Sequence, residues 1–136
     1  MQKINEHKTM TKPIEICVVD DEAIVCDRLK PLLEKSGYRV ETFTDSRSAL
    51  DRLSEKTFDI LITDLKMAHP DGRELLNFTR LHSPRTRVII ITGFATVDTA
   101  NDAIKGGAVD FIAKPFRLSQ IRELIHKISD EIQNAG

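Results

Sequence analysis

Four short runs in this chain are apolar from end to end, rich in isoleucine and valine, and of strand length: Ile14 to Val19, Phe58 to Ile62, Val88 to Ile91 and Val109 to Ala113. A strand that faces water on one side alternates apolar with polar residues. A continuous run is what a parallel strand covered on both faces requires. A fifth segment, Tyr38 to Phe43, does alternate, and it reads as an edge strand of the same sheet.

Between these runs the spacing changes to that of helices. Val25, Leu29, Leu32 and Leu33 fall on one face of a helix from about Ala23 to Ser36, with Gly37 as its stop. Asp45 or Ser46 can cap a second helix carrying Leu50 and Leu53. Asp71 and Gly72 lead into a third, with Leu75, Leu76 and Phe78, that ends near Pro84. Val97, Ala100 and Ile104 mark a fourth, closed by Gly106 and Gly107, and a fifth carries Leu118, Ile121, Leu124, Ile125, Ile128 and Ile132. Parallel neighbours need right-handed helical crossovers, so this order predicts a doubly wound α/β sandwich with helices on both faces. Pro31 falls inside the first helix, where a missing N–H predicts a kink.

One domain is expected from 136 residues with a hydrophobic fraction of 40%. Residues 1–13 read as a flexible polar tail without the apolar core of a signal peptide, and 14–134 as the folded unit. No run is long enough to span a bilayer, so a cytoplasmic protein is expected. A net charge of −1 gives no basic excess for nucleic acid. Cys17 and Cys26 lack metal-ligand spacing and read as buried free thiols.

Ligands of such sheets bind beyond the carboxyl ends of the strands. There the chain carries Asp20, Asp21 and Glu22 after the first strand, Asp64 after the third, Thr92 and Gly93 after the fourth, and Lys114 and Pro115 after the fifth. Singly, each is an ordinary cap, turn or surface residue. Together they fall at one end of one sheet. Two carboxylates about 4 Å apart at an effective dielectric near 20 repel by about 4 kcal/mol, so Asp20, Asp21 and Asp64 in reach of one another imply a divalent cation. An oxygen-only site open to water suits Mg2+ or Mn2+ and gains affinity from phosphate oxygens. A carboxylate beside such a site can attack phosphorus, and Asp64 is the natural nucleophile.

Val18-Val19-Asp20-Asp21-Glu22, Asp64-Leu65-Lys66-Met67 with Asp71-Gly72, Ile91-Thr92-Gly93, and Asp110-Phe111-Ile112-Ala113-Lys114-Pro115-Phe116 resemble the receiver domain of bacterial two-component response regulators. The resemblance runs from Ile14 to the fifth helix, and Thr92 to Phe116 is most similar to receivers that precede sigma-54-type activator modules. It implies a flavodoxin-like sheet of strand order 2-1-3-4-5. It implies Asp64 as the aspartyl phosphate site, Asp21 as a direct metal ligand, Asp20 as a ligand through water, and the carbonyl of Lys66 as a further ligand. Lys114 would pair with phosphoryl oxygens. Thr92 would turn its hydroxyl to the phosphoryl group and Phe111 would follow it inward, with the helix 4, strand 5 and helix 5 face reporting the change. The implied partner is a sensor histidine kinase or a histidine phosphotransfer protein, and the reporting face would take a second copy or an output domain. Lys114–Pro115 would be a cis peptide. Lys66 and Phe94 occupy positions that in the family gate water and tune phosphoryl lifetime. Four residues after Asp64 the family usually has proline; here Ala68, His69 and Pro70 follow, and a less fixed loop is expected.

Three other functions fit the topology less well. A phosphatase similar to the haloacid dehalogenase family wants a second aspartate two residues after the nucleophile, where this chain has Lys66. A flavin or nucleotide binder needs an anion-welcoming turn, and Asp20-Asp21-Glu22 would repel phosphate. A degenerate receiver that acts by protein contact alone would not need all five site residues.

Overall fold

The computed structural model describes residues 12–135, so all but the last two residues of the expected tail lie outside it. Five strands, β1 (Glu15–Val19), β2 (Arg39–Phe43), β3 (Ile60–Asp64), β4 (Arg87–Thr92) and β5 (Asp110–Ala113), alternate with five helices. The helices are α1 (Ala23–Lys35), α2 (Ser46–Glu55), α3 (Gly72–His82), α4 (Val97–Lys105) and α5 (Leu118–Ala135). All strand pairs are parallel, in the order β2-β1-β3-β4-β5. The alternating segment is the edge strand β2, as its pattern predicts.

Side chains alternate between the two faces of each strand. Ile16, Val18, Ile60, Ile62, Ile89 and Ile91 point to one face, where α1 and α5 cover them with Leu29, Leu33, Ile121, Ile125 and Ile128. Cys17, Val19, Leu61, Val88 and Ile90 point to the other, beneath Ala49, Leu75, Leu76 and Ala103 of α2, α3 and α4. Both cysteines are buried free thiols. Gly37 sits at φ 97°, a left-handed position that stops α1, and the Tyr38 N–H returns to the Leu33 carbonyl at 3.2 Å.

Two expectations change in detail. The third strand begins two residues later than the apolar run, so Asp64 is the last residue of β3, in register with Ile91, and Thr92 likewise ends β4. Pairing carries on past the apolar stretch because the Leu65 N–H reaches the Ile91 carbonyl at 3.2 Å. The helix α1 continues through Pro31. The carbonyl that Pro31 leaves without a helical partner is that of Asp27, on the exposed side where water can serve it. In α4, of the residues that marked it, Val97 and Ile104 are 77% and 49% exposed, and Ala103 supplies the buried contact instead.

Candidate functional site

The carboxyl ends of β1, β3, β4 and β5 meet at one rim of the sheet, and each contributes a side chain of the acidic cluster or its surroundings. Asp20 follows β1 directly and is 0% exposed. Its Oδ1 accepts the backbone N–H of Glu22 at 2.9 Å, which turns the chain into α1. Asp64 is nearly buried at the end of β3, and Asp21 is exposed. One oxygen from each of Asp20, Asp21 and Asp64 lies within 4.8 Å of the others.

Lys114, just beyond β5, reaches into this cluster. Its ammonium donates to Glu22 Oε1 at 2.6 Å and to Asp64 Oδ2 at 3.2 Å. It also stands 2.8 Å from Asp20 Oδ2, but without hydrogen-bonding alignment, so that buried oxygen has a charge beside it and no aligned donor. Burial pushes the Asp20 carboxyl above its usual range against the opposing pull of Lys114. Burial alone would lower the pKa of Lys114; the carboxylates of Asp20 and Glu22 more than reverse this and raise it. One ammonium faces the carboxylates of Asp20, Glu22 and Asp64, with Asp21 beside the first and last of them. A buried oxygen without an aligned donor, in an all-oxygen set this close, fits a hard divalent cation.

Thr92 is fully buried at the end of β4, next to β3 in the sheet. Its Oγ1 accepts the Phe94 N–H at 3.1 Å, and its carbonyl accepts the Lys114 N–H at 2.8 Å. Phe111, on β5, is half-buried against the core beneath α3 and α4. The Lys114–Pro115 peptide is cis, and so is His69–Pro70, which nothing in the sequence marked.

The loop after Asp64 makes polar contacts at Ala68 and His69. The Ala68 carbonyl accepts Ser46 Oγ at 3.0 Å, and His69 Nδ1 lies 2.8 Å from Glu74 Oε1. That Glu74 oxygen also accepts the Asp71 N–H at 3.0 Å, while Asp71 Oδ1 accepts the Glu74 N–H at 3.0 Å, a reciprocal cap on α3. Gly72 packs so tightly that a Cβ there would meet the Asp64 carbonyl oxygen at 2.1 Å. The Lys66 N–H lies 3.4 Å from Asp64 Oδ1, and its ammonium sits 5.4 Å from the centre of the exposed Phe94 ring, joining the loops after β3 and β4. The bond from Lys114 to Glu22 was not foreseen. The two are 92 residues apart, and only the β1 to β5 geometry brings them together.

With this geometry in view, the comparisons give one answer. Residues 16–126 match the family described as the response regulator receiver domain. The chain belongs to that family, the signalling domain of two-component response regulators. It is 38% identical over 109 residues to the transcriptional regulatory protein ZraR of Klebsiella oxytoca, covering 80% of this chain and 25% of that protein. It is 36% identical over 114 residues to the alginate biosynthesis transcriptional regulatory protein AlgB of Pseudomonas aeruginosa, covering 84% of this chain and 25% of the relative. It therefore spans about a quarter of the length of these relatives. Among solved structures, a CheY-like receiver from Methanospirillum hungatei superposes with a TM-score of 0.86 at 28% identity, covering 92% of this chain and 100% of that one. The beryllofluoride-activated NtrC4 receiver dimer superposes with a TM-score of 0.80 at 36% identity, covering 86% and 97%. Among the described residues, no helix is long and apolar enough to cross a membrane.

Proposed function

We propose that Asp64 accepts a phosphoryl group from a phosphohistidine on a sensor kinase or phosphotransfer protein, and that residues 14–134 form the unit that answers to it. The observation that carries this reading is Lys114 donating to Asp64 Oδ2 beside the clustered oxygens of Asp20 and Asp21. Asp64 Oδ attacks phosphorus in line. The new P–O bond forms as the bond to the donor imidazole breaks, and the imidazole leaves with the electron pair. Lys114 places its ammonium against the phosphoryl oxygens.

Asp20, Asp21, Asp64 and the carbonyl of Lys66 would hold Mg2+ or Mn2+. The ion, when bound, would offset the mutual repulsion of the carboxylates and the charge on the equatorial oxygens. Thr92 releases the Phe94 N–H and turns its hydroxyl to the phosphoryl group; Phe111 moves inward in its wake. The face of α4, β5 and α5 then changes and serves a second copy or an output module, in keeping with relatives named as transcriptional regulators and with a sigma-54-activator type of regulator. Lys66, where a phosphatase would need an acid, makes the domain a phospho-acceptor that promotes its own transfer and hydrolysis without acting as a turnover enzyme.

Incubation with a small phosphodonor and magnesium should add one phosphoryl mass to the wild type and none to Asp64→Asn. Equal labelling of the two proteins would refute the assignment.

A further inference from the structure

Glu22 occupies the N-cap of α1, yet its side chain makes no capping bond. Short polar side chains are favoured there because they reach the free N–H groups of the first turn. Instead the Glu22 carboxylate, 58% exposed, takes the shorter of the two aligned hydrogen bonds that Lys114 donates, 2.6 Å against 3.2 Å to Asp64. The buried Asp20 Oδ2 beside them is left without an aligned donor. An ammonium has three donors, and a phosphoryl group on Asp64 brings oxygens that need them. Of the three carboxylates around Lys114, Asp20 and Asp64 are held by the sheet. Glu22 alone is exposed enough to leave.

We propose that Glu22 is a positioning residue that holds Lys114 in the unphosphorylated state and competes with the phosphoryl group for its ammonium. The inference rests on the phospho-acceptor reading and adds a competitor to it. Glu22 does two opposed things. Its negative charge raises cation affinity at the neighbouring cluster, and its grip on Lys114 opposes phosphoryl binding. Removing the charge should therefore move the two affinities in opposite directions, which a merely structural role would not do.

The test uses the whole chain and two probes: magnesium alone, then fluoroberyllate at saturating magnesium, each followed by amide chemical shifts. Exposed ion pairs have modest strength, so Glu22→Gln should bind fluoroberyllate roughly 2- to 5-fold more tightly than wild type and magnesium roughly 2- to 5-fold more weakly. Glu22→Ser, which supplies a favoured cap and protects the fold, should show the same gain. Fluoroberyllate binding that is unchanged or weaker in both variants overturns the inference and leaves the phospho-acceptor reading standing. Failure of the wild type itself to bind fluoroberyllate overturns both.

Discussion

Helix α1 and helix α4 flank the same sheet and are held to it in different ways. Over 13 residues, α1 buries Val25, Cys26, Leu29 and Leu33. Over nine, α4 buries Ala103, while Val97 and Ile104 stay 77% and 49% exposed and Phe94, just before it, 62%. Local order in α4 comes from its ends: Thr96 and Thr99 exchange hydrogen bonds as a reciprocal cap, and Gly107 closes the helix at φ 108°. A well-capped helix with little buried apolar area keeps its secondary structure while its docking is weakly determined. The difference gives the two sides of the site different support. Beside α1, Asp20 and Asp21 follow a strand packed under a well-buried helix; beside α4, Thr92 ends a strand whose following helix buries little apolar area.

The comparison can be broken most forcefully at its rigid side. Leu29→Ala opens a cavity in a fully buried layer and should cost about 3 kcal/mol in denaturant unfolding. A loss below about 1 kcal/mol would mean α1 is no better held than α4. Gly72→Ala should come next, at about 2 kcal/mol, because its Cβ would strike the Asp64 carbonyl oxygen and push the end of β3. This variant should also slow labelling of Asp64, read by mass spectrometry.

Asp20 tests the support electrostatically. Burial raises its carboxyl pKa, so the folded state binds the proton more tightly than the unfolded chain does, and this group's contribution to stability falls as pH rises through the folded value. In the presence of chelator, Asp20→Asn should therefore be about 1 kcal/mol more stable than wild type at neutral pH. The advantage should fade as pH drops through the raised pKa of Asp20, and magnesium should reverse the order. Thermal melts across pH read this directly; a variant less stable than wild type at neutral pH without metal would contradict the assigned strain. The smallest effect belongs to α4, where Ile104→Ala should change stability by less than about 0.5 kcal/mol.

Much of this architecture was legible in the chain. Continuous apolar runs need cover on both faces, so a parallel sheet followed, and the polar residues ending those runs converged on one rim. The Asp45, Asp71 and Gly37 signals act locally and reported true helix ends. What stayed hidden depends on distance or on the partner. The exposure of Val97 and Ile104 cannot be read from helical spacing, which shows an apolar face but not whether anything covers it. The anchoring of Ala68 by Ser46 and the hold of Glu22 on Lys114 join residues far apart in sequence, and neither leaves a local pattern.

Hydrogen exchange with and without fluoroberyllate and magnesium tests the division between the two sides most directly. Amides of 92–113, from Thr92 through α4 and β5, should change protection on activation, while those of α1 after its first turn stay as they were. Equal changes in α1 and α4, or a change confined to α1, would contradict it.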